Sequence, residues 1–234
     1  MKNDFLMKTY EQVIRDNASF LGKVIDFNKN FDKLLSLDFT KQNRELTDEI
    51  LEDTDLFSAW VDKKLNHAEA RYGIGGYDEH RTIYSRSAHF DTIEEPRRLH
   101  LGVDIWAPAG TPIFNFYDAI VHSFANNNNF GDYGATIILS YEIDGLKFNV
   151  LYGHLSLASL DNLYEGKFIA AGKKIAELGA KKENGYWPPH LHFQVINDIE
   201  GFKGDYPGVC KFSERTKYLA NCPDPNLILK YSFY

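Results

Sequence analysis

The sequence predicts an α+β fold, mainly antiparallel β, preceded by an N-terminal helical extension. Three observations carry this: helical spacing of apolar residues before residue 70, a rise in glycine, β-branched and aromatic residues after it, and an Asp144-Gly145 dipeptide between two alternating runs. At 234 residues the chain holds one generous domain or one domain with an extension. With 44% hydrophobic and 25% charged residues it has the apolar mass for a core, which excludes disordered and disulfide-scaffold classes.

Leu6, Tyr10, Val13, Ile14 and Phe20 or Leu21 recur at helical spacing, predicting one amphipathic helix over the first twenty residues. Asp55 reads as the N-cap of a second helix carrying Leu56, Phe57, Trp60, Val61 and Leu65. Gly73, Gly75 and Gly76 mark the junction to a β region. Strands are expected at 119–125, 135–141, 146–155, 173–178 and 191–196, with 144–145 as a hairpin turn. The organisation is therefore an extension over 1–70, a β domain over 71–200 and a tail over 201–234 packing on it.

Twenty-six basic against 33 acidic residues give a net charge of −7, which repels polyanions and argues against nucleic acid as a partner. No segment has the length and apolarity of a membrane span, and the first thirty residues lack a signal-peptide run. As written, the chain is expected in the cytoplasm, or in the periplasm if a leader has been removed, with Cys210 and Cys222 as free thiols. The sequence does not specify an oligomeric state.

Chemistry concentrates in three clusters: His100-Leu-Gly-Val-Asp104, Tyr152-Gly-His154 and His190-Leu-His192. Residues two apart on a strand share a face, so His190 and His192 present two imidazoles side by side. His100 and Asp104 would lie ~13 Å apart if fully extended, too far for joint ligation, so the chain must curl between them, a bend that Gly102 permits. A catalytic zinc takes three protein ligands and keeps one open position. Five candidate groups leave two for proton transfer, as a metal-assisted hydrolase requires. The two-histidine, one-carboxylate subset also suits an iron oxygenase, but the surplus histidines favour zinc. A buried Asp104 among Val103, Ile105 and Trp106 is costly unless paired or metal-bound.

These residues resemble the lysostaphin/LytM-type zinc metallopeptidases over residues 72 to 197. The motifs stand here as His100-Leu-Gly-Val-Asp-Ile-Trp-Ala-Pro-Ala-Gly-Thr-Pro112, Tyr152-Gly-His-Leu-Ser156 and Pro189-His-Leu-His-Phe193. The resemblance implies the LytM/lysostaphin-type sheet, a Zn2+ cofactor held by His100, Asp104 and His192, and catalytic roles for His154 and His190. It further implies a metalloendopeptidase acting on a peptide substrate, with peptidoglycan-type cross-links as the family's target. A looser echo, Gly75-Gly-Tyr77-Asp-Glu-His-Arg81, places Tyr77 and Arg81, with Tyr152, beside the ligands or against substrate. The alternative is a module that keeps the peptidase fold and binds a peptide or partner without cutting it. His67, His80, His89 and His122 carry no metal spacing, Trp106 and Trp187 read as cleft walls or core, and Arg97 and Arg98 beside Glu94 and Glu95 read as an exposed charge cluster.

Overall fold

The computed structural model describes residues 8–91 and 94–231. Among these described residues twelve strands and five α-helices follow in chain order. Helix α1 is Tyr10–Asp16, β1 Leu34–Ser36, α2 Asp48–Glu52, α3 Thr54–Ala68, β2 Tyr72–Gly75, β3 Leu99–His100, β4 Val103–Trp106, β5 Pro112–Phe114 and β6 Ala119–Asn127. Then come β7 Gly134–Ile143, β8 Leu146–Leu155, β9 Phe168–Ile169, β10 Lys174–Glu177, β11 His190–Ile196, β12 Val209–Cys210, α4 Arg215–Asn221 and α5 Asn226–Leu229. The main sheet has eight strands in the order β1-β2-β4-β11-β8-β7-β6-β9. Every pairing in it is antiparallel except β1 with β2.

The central hairpin follows from its residues. Asp144 and Gly145 both adopt positive φ, 49° and 80°, as a two-residue turn matched to strand twist requires. Register then pairs Ile143 with Leu146 and runs down to Ile137 with Tyr152. Strict alternation sends Val150, Tyr152, Leu191, Phe193 and Val195 to one face, where they pack with Tyr10, Val13 and Ile14 of α1 and Ile228 and Leu229 of α5. The same alternation leaves Asp104, His190, His192 and Gln194 on the opposite face.

The N-terminal region departs from expectation in two places. Helix α1 starts at the Thr9 cap, closed by a capping box with Gln12, and ends at Asn17, so Phe20 stands 72% exposed outside it; Leu6 lies outside the described residues. The second long helix is capped by Asp53 rather than Asp55, because the Asp53 carboxylate accepts from the Asp55 and Leu56 amides. Gly73 and Gly75 lie within β2 and Gly76 directly follows it, at the junction that the glycines mark in the sequence. A side chain at Gly75 would stand 2.6 Å from Arg81 Nη2, so its absence lets the guanidinium pass. Residues 34–36 also add an edge strand to the main sheet.

Candidate metal and catalytic site

Register builds the site. His192 on β11 lies opposite Asp104 on β4 and Gly153 on β8, and His190 lies opposite Trp106. The chain breaks between β3 and β4 at Leu101 and Gly102, which folds His100 back to within 3.2 Å of Asp104 Oδ1. The curl expected there is present, but Gly102 serves proximity rather than an unusual dihedral. A Cβ on it would meet His192 Cε1 at 2.7 Å and the Phe193 carbonyl oxygen at 2.9 Å.

His154 reaches this face by a different device. Alternation along β8 would send it with Tyr152 into the core, but the pairing with β7 slips by one residue between Ala135 and Ile137. At this bulge His154 takes a left-handed backbone, φ 62°, and its ring lies 4.1 Å from that of His190, centroid to centroid. Tyr152 stays behind. It is fully buried, its hydroxyl shares a 2.7 Å hydrogen bond with Tyr141, and its ring lies 5.3 Å from that of Phe193, so the expected place beside the ligands or substrate is corrected.

Hydrogen bonds around the rim determine which ring nitrogens carry protons. A backbone carbonyl only accepts, so His100 Nδ1–H donates to Gly76 (2.8 Å), His154 Nδ1–H to Asn184 (2.8 Å) and His190 Nδ1–H to Pro188 (2.7 Å). In neutral rings the Nε2 atoms are then bare. For His192 the acceptor is a side chain: Gln194 spends its amide hydrogens on the Pro207 carbonyl (3.1 Å) and Cys222 Sγ (3.3 Å), so its Oε1 accepts from His192 Nε2–H at 2.8 Å. This leaves His192 Nδ1 bare, 3.0 Å from Asp104 Oδ1 and 3.0 Å from His100 Nε2.

Three lone pairs therefore converge with no proton between them: His100 Nε2, His192 Nδ1 and Asp104 Oδ1. The side chains of His100, Asp104 and His192 bring their ligand atoms within 4.8 Å of one another, and all three residues are buried. Such a triad is repulsive by itself and fits a divalent cation of the zinc type, for which two histidines and a carboxylate are ordinary ligands. Burial and the nearby Arg81 charge lower His100 to about 4, against the pull of Asp104. For Asp104, burial pushes upward, but His100 and Arg81 outweigh it and hold the carboxyl well below the usual range. Burial also lowers His190 to about 4 and His154 well below its ordinary value.

Arg81 is fully buried and bridges two carboxylates, with Nη1 2.5 Å from Asp104 Oδ2 and Nε 2.6 Å from Glu79. It therefore sits behind the ligand and has no surface to offer substrate. The Tyr77 hydroxyl donates to the Cys222 carbonyl at 2.5 Å, tying the tail to the turn that holds His100. Tyr77 is absent from the cleft lining.

The cleft over the site encloses about 260 Å³ and is lined by His154, His190 and His192 with Tyr84, Trp187 and Tyr133. Among the described residues none of its lining comes from before residue 83. Trp106 and Trp187 are cleft walls, as expected. His89, which is exposed as expected, and the half-buried Arg97 also line this cleft: Arg97 lies over the Phe90 ring and its Nη2 donates to the His89 carbonyl. Arg98 pairs with Asp91 at 2.6 Å. Tyr84 and Gln194 carried no expectation; Gln194 stands two residues beyond His192 on one strand, so alternation alone would have placed them side by side.

Residues 98–203 match the family model of peptidase family M23. This segment belongs to peptidase family M23. It contains His100, Asp104, His154, His190 and His192, whereas Gly76, Arg81, Pro207 and Cys222, which hold those residues, lie outside it. No curated protein matches the chain. Among solved structures, the chain is similar to the catalytic domain of the antimicrobial peptidase lysostaphin from Staphylococcus simulans. The identity is 24%, over 68% of this chain and 97% of that one, with a TM-score of 0.40. It is also similar to a zinc containing peptidase from Vibrio cholerae at 28% identity, over 42% of this chain and 27% of that one, with a TM-score of 0.33. The aligned part thus spans about a quarter of the Vibrio cholerae protein. No helix among the described residues is long and apolar enough to cross a membrane.

Proposed function

We propose that the chain is a zinc-dependent metalloendopeptidase in which His100, Asp104 and His192 hold the metal and His154 and His190 carry protons. The observation that supports this best is the convergence of three unprotonated ligand atoms whose outer hydrogen bonds all point away from one another. Zinc bound there supplies Lewis acidity, polarising the scissile carbonyl and lowering the pKa of water toward 7.

The remaining chemistry belongs to the chain. His154 and His190 each hold a proton on Nδ1 through a backbone carbonyl and leave Nε2 free. Burial keeps His190 neutral near pH 7, so its Nε2 accepts a proton from the attacking water and returns it to the departing amine. His154, with its ring beside that of His190, offers a second such nitrogen for proton transfer. Trp106 stacks on His190 and orients its plane. All five polar residues are at most 5% exposed, which excludes bulk water from the reacting atoms.

The substrate class proposed is a peptide, with peptidoglycan-type cross-links first among the candidates. Elemental analysis of protein purified without a metal-affinity tag tests the reading. Near-stoichiometric zinc is expected in the wild type and is lost in His192→Ala. His154→Ala and His190→Ala are expected to retain zinc and lose turnover on cross-link peptides. Zinc retained by the wild type without hydrolysis across a peptide panel would favour the non-hydrolytic binding module.

A further inference from the structure

We infer that Gln194 is the positioning residue that sets the tautomer of His192 and thereby makes this imidazole a metal ligand through Nδ1. The inference rests on the metal reading above and concerns a residue outside the ligand set.

The argument begins with a contrast among the four site imidazoles. Three are oriented by backbone carbonyls, at Gly76, Asn184 and Pro188. These acceptors are supplied by the fold and survive any side-chain substitution. Only His192 is held by a side chain. The prototropic state of that ring is therefore the one in the site that a single residue controls.

Gln194 suits this task because of what lies behind it. It is fully buried, and its amide hydrogens are spent on the Pro207 carbonyl and on Cys222 Sγ. A carbonyl accepts only, so the amide nitrogen must face Pro207 and the amide oxygen must face His192. An amide rotated the other way would place N–H against the imidazole, favour a proton on His192 Nδ1 and set that proton against Asp104 Oδ1 and His100 Nε2. The chain from the tail through Gln194 to His192 thus runs donor to acceptor in one direction and ends on a bare Nδ1. Acceptors behind ligating histidines fix the ring, and their loss typically weakens metal binding by about 10- to 100-fold.

Two variants separate this role from simple packing. Gln194→Leu removes the acceptor, and Gln194→Glu keeps an oxygen against His192 Nε2. Zinc affinity is measured for each by chelator competition, the Co2+-substituted proteins are compared by visible absorption, and the imidazole 15N shifts of His192 are read in the metal-free proteins. The wild type is expected to show the Nε2–H tautomer and bind zinc. Gln194→Leu is expected to bind about 10- to 100-fold more weakly with an altered Co2+ spectrum. Gln194→Glu is expected to recover most of the affinity and the Nε2–H tautomer. Equal affinity in wild type and Gln194→Leu, or an Nδ1–H tautomer in the metal-free wild type, overturns the inference while leaving the metal reading intact. Absence of zinc binding by the wild type overturns both. If Gln194→Leu does not fold, the wild-type tautomer together with the affinity of Gln194→Glu decides: weak binding by Gln194→Glu with an Nδ1–H ring overturns the assignment.

Discussion

Trp106 stacks on His190 with ring centroids 4.0 Å apart and planes 16° from parallel. Its ring also meets two aromatic rings from before residue 70, Phe39 at 5.0 Å and Phe57 at 5.9 Å between ring centroids. Residues before 70 thus reach the site from behind, through the wall that orients a histidine. These residues brace the site, and among the described residues none before 83 lines the cleft.

Trp106→Ala should therefore cost stability and orientation together. Removing a fully buried indole typically costs about 3–5 kcal/mol, and Trp106→Phe should recover much of it by keeping a ring over His190. Urea denaturation measures the first effect. The second appears as turnover lost by Trp106→Ala beyond what its folded fraction explains.

Arg81 presents a buried charge shared between Asp104 and Glu79. Arg81→Met leaves the Asp104 carboxylate buried with its outward oxygen unpaired, a change of about 3–5 kcal/mol where one partner of a buried pair is removed. Arg81→Lys should restore only part of this, because an ammonium lacks the fork that spans two carboxylates and the Gly76 carbonyl at once. Thermal melts of the metal-free proteins rank the three; a melting temperature for Arg81→Met equal to wild type would contradict the assignment.

Gly102→Ala tests the close approach of strand and ligand. The added methyl would stand 2.7 Å from His192 Cε1 and 2.9 Å from the Phe193 carbonyl oxygen, so the ring must shift from Gln194 and Asp104. Overpacking of this kind costs about 1–3 kcal/mol, and zinc affinity should fall with it. Gly76→Ala is the control, since its methyl meets only the Glu79 side chain at ordinary contact distances of 3.7 Å and beyond. Zinc titration and melting of both variants should show a deficit in Gly102→Ala alone.

The legible parts of this molecule were those with short-range causes. The 144–145 turn and the alternation of Phe148, Val150 and Tyr152 predicted the hairpin, and the spacing of His190 and His192 predicted two rings on one face. The curl between His100 and Asp104 followed from chain geometry. What escaped the sequence depends on partners far along the chain. The bulge that turns His154 away from Tyr152 is defined by slippage against β7, a partner outside residues 150–156. Residues 34–36 form a strand only because β2 offers an edge, and Arg97 reaches the cleft only because Phe90 lies beneath it.

Acid should unfold the metal-free protein through the site histidines. His100 and His190 have folded values near 4, below the ordinary 6.5, so the unfolded chain binds more protons than the folded one between those limits. Their contribution is fully present above pH 6.5 and is lost as pH falls toward 4, on the order of 3 kcal/mol for each group. Asp104, held below its ordinary 3.8, acts in the same direction at lower pH. Urea midpoints measured from pH 7.5 down to 4 should decline with the steepest slope between 6 and 4, and His190→Gln, which removes one of these titrations, should flatten that slope. A midpoint independent of pH across this range would show that the two rings are not held neutral by the fold.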